Sequence, residues 1–159
     1  MIGSSGASGK FGAATTFAQL LFANGPNQAE STLQPGGQTT TFRTGFTAGR
    51  LWTIYDTIQG LIPDEAAATF ELVVWDNSSG LYSTWTQASV AWDEGLIAAG
   101  KSGAFTLEEI GGPVNVAPNM LPETFNLYYT VIPEPSSFAL AALALMCMLP
   151  LRQGRASAP

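Results

Sequence analysis

Short runs in which apolar and polar residues alternate, each cut off by glycine, proline or asparagine, constrain this chain more than any other feature. The clearest is Thr69–Asp76, TFELVVWD. Phe70, Leu72 and Val74 share one face of an extended segment, and Glu71, Val73 and Trp75 share the other. β-Branched and aromatic residues dominate it, as a pleated strand favours, and Asn77–Gly80 turns the chain away. Thr15–Ala23 is apolar on both faces and reads as a buried strand stopped by Asn24-Gly25-Pro26. After the Pro35-Gly36-Gly37 turn, Gln38–Thr44 reads as a strand. Arg50–Gln59 sets Trp52, Ile54 and Ile58 against Thr53, Tyr55 and Thr57, and Pro63-Asp64 marks the next turn. Ala104–Ile110 returns to strand, closed by Gly111-Gly112-Pro113, and Phe125–Val131 alternates again.

One segment has a different period. Trp85, Ala88, Trp92, Leu96 and Ala99 form a helical stripe over Thr84–Ala99, with Gly100 as its C-cap and Gly95 as a residue that weakens it. Strands at this spacing, with frequent turns and one short helix, predict a mainly β domain: an antiparallel β-sandwich of Ig-like or jelly-roll-like type. With Val131 and Ile132 closing the last strand, residues 1–132 form that domain and residues 133–159 a separate tail. If the start lies inside a longer protein and a first strand is missing, a sheet edge near residues 15–23 is expected to stand open.

Composition narrows the chemistry. Charged residues are 11% of the 159, so the surface is built from Thr, Ser, Asn, Gln and Gly, which suits an extracellular β-protein. The net charge is −6 and no basic stripe exists, which argues against nucleic acid as a partner. There is no histidine, so the commonest general base and metal ligand is missing. The single cysteine, Cys147, allows no intrachain disulfide and no Cys-based zinc site. No cofactor is implied. The acidic pairs Asp64-Glu65, Asp93-Glu94 and Glu108-Glu109 read as solvated surface charge rather than as the facing carboxylates of a glycosidase. Asp76–Gly80 lacks the EF-hand ligand pattern, and no GxSxG elbow serves the many serines. Asn77-Ser78-Ser79 fits a glycosylation sequon and Leu121-Pro122-Glu123-Thr124 imitates an LPxT signal; both are short enough to arise by chance.

The aromatics remain. An exposed Trp75 or Trp52 could stack on a sugar ring; the competing reading packs Trp85 and Trp92 over Trp75 as a small core.

The tail is the most specific region. Pro133 and Pro135 keep Ile132–Ser136 extended and accessible to a processing enzyme. Ser136 or Ser137 can N-cap the apolar run that follows. That run passes through Phe138, Ala139, Leu140, Ala141, Ala142, Leu143, Ala144, Leu145, Met146, Cys147, Met148 and Leu149 to Pro150 and Leu151 without a charge, and Arg152 and Arg155 follow. As a helix it spans ~21 Å, short of a hydrocarbon core of ~30 Å, so it is a marginal single transmembrane helix with its basic end inside.

Pro133-Glu134-Pro135, a short apolar helix and a basic end, in that order, resemble the PEP-CTERM sorting signal of Gram-negative bacteria. The resemblance covers residues 131–155, and Val131-Ile132-Pro133-Glu134-Pro135-Ser136-Ser137 is similar to the family's usual opening. It departs in Pro150, which interrupts the apolar run, and in a basic end of two arginines split by Gln153-Gly154. The family's tail is read by an exosortase, a membrane enzyme with its own catalytic cysteine, so the resemblance implies a substrate and not an enzyme. It also implies passage through the inner membrane, then a cell-surface or extracellular location, with extracellular polysaccharide as a candidate partner. A client of this system normally carries a signal peptide; Met1–Phe17 has no apolar core of that kind, so the start is expected to lie inside a longer protein. The expectations are therefore an exported surface or matrix protein or, alternatively, a carbohydrate-binding module.

Overall fold

The computed structural model describes residues 14–119 and 126–130. Two long strands form its spine, β1 (Thr16–Asn24) and β4 (Ala67–Asp76). They run antiparallel in unbroken register, with Phe17 opposite Trp75, Leu20 opposite Leu72 and Phe22 opposite Phe70. Short strands flank them. β2 (Gln34–Pro35) and β3 (Thr40–Thr41) pair with the free side of β1, while β5 (Ala99–Lys101) and β6 (Phe105–Glu108) pair with the free side of β4. The result is one antiparallel sheet of six strands among the described residues, with one α-helix, α1 (Trp85–Asp93). The expected open edge at residues 15–23 is not found: β1 lies inside the sheet because β2 and β3 cover its outer side.

The alternation predicted for β4 is the alternation observed. Val73 and Trp75 point to the helix side, where they pack with Leu21, Trp85, Ala88, Ala91, Trp92, Ile97 and Ala99. Phe70, Leu72 and Val74 point to the opposite face, with Ala18, Phe22, Phe42 and Ile110. Aromatic rings thread the helix side in a continuous row. Centroid separations are 5.8 Å for Phe17–Trp75, 5.8 Å for Trp75–Trp85, 6.1 Å for Trp85–Trp92 and 5.1 Å for Trp92–Tyr128. Such tilted and edge contacts add to the burial each ring already supplies. Two of the three buried indoles donate to backbone carbonyls, Trp75 to Tyr82 at 2.7 Å and Trp92 to Tyr128 at 2.9 Å.

Three expectations are corrected. The helix is shorter than Thr84–Ala99. It starts at a capping box in which the Thr84 hydroxyl accepts from Gln87 N–H and the Gln87 side chain accepts from Thr84 N–H. It ends at Gly95, not Gly100. Gly95 takes φ 68°, its N–H donates to Trp92 O at 2.9 Å, and Leu96 N–H donates to Ala91 O at 2.8 Å. That pair of bonds is a Schellman motif, so Gly95 terminates the helix; Leu96 is then exposed and Ile97 takes the buried place. Second, Arg50–Gln59 forms no strand beyond the pairing of Leu51 with Phe42 and the bond from Trp52 N–H to Thr41 O, because residues 53–57 have no neighbouring strand to bond. Third, Gln38–Thr44 shrinks to Thr40–Thr41. Of Phe125–Val131, residues 126–130 are described, and only Tyr128 pairs, exchanging bonds with Ala99 of 2.9 and 3.1 Å.

Among the described residues no helix is long and apolar enough to cross a membrane. The apolar run at 138–151 lies outside the described residues.

Candidate functional site

The face of the sheet opposite the helix carries an open cleft. Leu20 and Leu72 face each other at the centre of the two longest strands, yet both are only half-buried. Above them lies a cleft of about 1140 Å³, floored by Leu20, Phe70, Leu72 and Val74 and walled by residues 49–58 on one side and Ile110–Asn119 on the other. Residues 52–57 form a strap whose side chains are all exposed, and beyond Trp52 it rests on no strand.

Side-chain clamps hold the walls. Asp56 accepts from the Gln38 N–H at 2.7 Å and so ties the strap to the edge of the sheet. Asn24, at the end of β1, donates to Gly60 O at 2.9 Å and accepts from Ile62 N–H at 3.0 Å. Gly36 is required there by close approach: a Cβ would stand 2.2 Å from the Phe22 ring and 2.6 Å from Ile58. Asp64 accepts from Val114 N–H at 3.0 Å and from Asn115 N–H at 2.7 Å, which fixes the far wall.

A hairpin forms the near rim. Phe42 pairs with Leu51, Arg43 N–H donates to Arg50 O at 2.8 Å, and Trp52 N–H donates to Thr41 O at 3.3 Å. Phe42 and Leu51 turn inward onto Ala18 and Val74. By strand alternation their neighbours Arg43, Arg50 and Trp52 share the outer face. Arg43 and Arg50 therefore stand directly across from each other. The Arg43 guanidinium carbon lies 4.7 Å from the centroid of Trp52, within cation–π range. The ion pairs among the described residues are made by Lys101, so neither arginine has a carboxylate partner there, and the Arg43 Nε is buried without an acceptor. Trp52 is 56% exposed, and Tyr55 and Phe46 project almost fully into solvent.

The tryptophans named from sequence separate. Trp75 is completely buried beneath Trp85, so it offers no ring to a sugar; the packing alternative describes it. Trp52 is exposed on the cleft rim. The acidic pairs bring no two carboxylates together across the cleft. Asp64 is not solvated surface charge but the clamp already described, in a left-handed conformation at φ 56°. No group of three or more His, Cys, Asp or Glu among the described residues is arranged to hold a metal ion. In the Asp76–Gly80 loop, Asp76 accepts from the Ser78 N–H and hydroxyl. Asn77 is buried, and its side-chain oxygen accepts from Tyr82 N–H at 2.8 Å, which sets the sequon's asparagine inside the turn.

One ionisable residue escaped the sequence reading. Glu71 is completely buried on the helix side, neither of its oxygens has a hydrogen-bond partner, and Lys101 Nζ lies 3.8 Å away while also reaching Glu30 at 3.4 Å. Burial pushes its carboxyl above the usual range; the Lys101 ammonium pulls it back and Glu30 pushes it further up. Its signal in the sequence was an acid on the face of β4 that also carries Val73 and Trp75.

Pro133, Glu134, Pro135, the segment Phe138–Leu149, Arg152, Arg155 and the Leu121–Thr124 motif lie outside the described residues. No family model matches the chain, and no match is found among curated proteins or solved structures.

Proposed function

We propose that this chain is an exported bacterial surface or extracellular-matrix protein, delivered through its C-terminal signal and cleaved near Pro133-Glu134-Pro135. The ordered succession of Pro-Glu-Pro, the apolar run 138–151 and the basic Arg152 and Arg155 carries this reading. The chain is the substrate and an exosortase the processing enzyme; the inner membrane is a transient partner through the apolar run. The domain contributes no catalysis of its own. Its shape supports the division of labour. Tyr128 is fastened to Ala99 and Trp92, and the Thr130 hydroxyl donates to the Trp92 carbonyl, so these contacts all precede Pro133 and survive cleavage beyond it. A sandwich, with a second layer packed on the described sheet, belongs to the same proposal. Co-expression with an exosortase tests the signal: the wild type is processed and Glu134→Ala accumulates at full length. Equal processing of both rejects the motif.

The domain also fits a carbohydrate-binding module. The observation that favours this is the exposed pair Trp52 and Tyr55 beside an open cleft, since aromatic rings present an apolar body to a sugar ring while their polar groups stay wet.

A further inference from the structure

We infer that the outer face of the hairpin, Arg43, Arg50 and Trp52, binds an acidic polysaccharide of the uronic-acid type. Its carboxylates sit on the guanidinium groups of the two arginines and a pyranose ring stacks at Trp52. This deepens the carbohydrate-binding reading above and rests on it.

The charge arrangement is the first ground. Like charges directly opposite on neighbouring strands are unfavourable. This chain has twelve acidic residues to six basic ones, so acids are plentiful, yet none among the described residues pairs with either arginine. Lys101, by contrast, has two carboxylates within 4 Å, at 3.4 and 3.8 Å. An anion supplied from outside relieves the repulsion, and guanidinium groups match carboxylates through paired N–H bonds.

Geometry is the second ground. Arg43 is held at 4.7 Å from the Trp52 centroid, so the cation and the aromatic surface are already assembled next to each other. Arg50 and Trp52 also line the cleft, and the exposed strap carries Thr53, Tyr55 and Thr57, whose hydroxyls suit those of a sugar chain running along it. An anionic bilayer fits less well, because a net charge of −6 repels it beyond the local pair.

The test is affinity gel electrophoresis of the full chain at low ionic strength, in a mild detergent without sugar groups. The gels contain sodium polygalacturonate or neutral dextran, and flotation with vesicles of equal parts phosphatidylglycerol and phosphatidylcholine runs in parallel. Polygalacturonate is expected to retard the wild type, dextran not, and added salt to weaken retardation. Arg50→Gln and Trp52→Ala each lower the apparent affinity about tenfold, the scale of one charge-assisted bond. Phe46→Ala leaves it unchanged. Arg50 and Trp52 are exposed, so these variants keep the fold even if Arg43→Gln does not. Equal retardation by dextran, lost in Trp52→Ala but not Arg50→Gln, keeps carbohydrate binding and overturns the acidic ligand. Vesicle binding without polygalacturonate binding, lost in Phe46→Ala, makes the hairpin a membrane contact and overturns the proposal. No retention by either polymer overturns the site and the carbohydrate reading together, and leaves sorting untouched.

Discussion

The indole N–H of Trp92 donates to the backbone carbonyl of Tyr128 at 2.9 Å, and the two rings meet edge to face at 5.1 Å. One residue on the helix thus fastens the segment that leads toward the Pro133 motif. Trp92→Phe keeps most of the ring contact and loses the bond, leaving the Tyr128 carbonyl with only its bond to Ala99. The expected loss is about 1 kcal/mol in urea unfolding. Trp92→Ala removes a buried ring as well and costs about 3–5 kcal/mol. Equal losses for the two variants would show that the bond to Tyr128 and the ring burial are not separate contributions.

Glu71 gives the domain a pH dependence of defined sign. Its folded-state carboxyl is raised above the ordinary value of 4.5, chiefly by burial. The folded state therefore holds the proton more tightly than the unfolded chain. The stability linked to Glu71 is fully present below the ordinary value and is lost as pH rises through the raised one. Glu71→Gln removes that slope and leaves the protein about 1–2 kcal/mol more stable at neutral pH, the scale of a buried group's desolvation. Urea midpoints of both proteins between pH 4 and pH 8 (about that range brackets a raised carboxyl) measure it.

Gly95→Ala is expected to destabilise, although alanine is the better helix former. At φ 68° a Cβ is strained, by about 1 kcal/mol, and the Schellman bonds to Ala91 and Trp92 depend on that conformation. A raised melting temperature for Gly95→Ala would mean that the helix runs on past Glu94.

Asp64→Ala deprives the Val114 and Asn115 N–H groups of their acceptor and frees the far wall of the cleft. A loss of about 1–2 kcal/mol is expected, with faster amide exchange confined to the wall at 110–119. Exchange that speeds up across the whole sheet instead would place Asp64 in the global core.

The β4 strand was legible because its own alternation states both faces: Phe70, Leu72 and Val74 one way, Val73 and Trp75 the other. The same pattern at Arg50–Gln59 misled, since alternation describes a pleat but not the presence of a partner strand, and residues 53–57 have none. The helix start was legible in the apolar stripe, while its end hung on the left-handed turn at Gly95. Trp75 and Trp52 looked alike in sequence; only the packing of Trp85 over one and the solvent around the other separate them. The Arg43–Arg50 pairing arises from hairpin closure through positive-φ glycines at 45 and 49, a turn register that the alternation of the flanking residues does not announce.

The intact mass of the protein recovered from its native host tests the central claim most directly. A mature species that ends close to Pro135 and lacks the apolar run and both arginines beyond it is predicted. A species that retains Phe138–Pro159 would contradict processing and make the tail a plain membrane anchor.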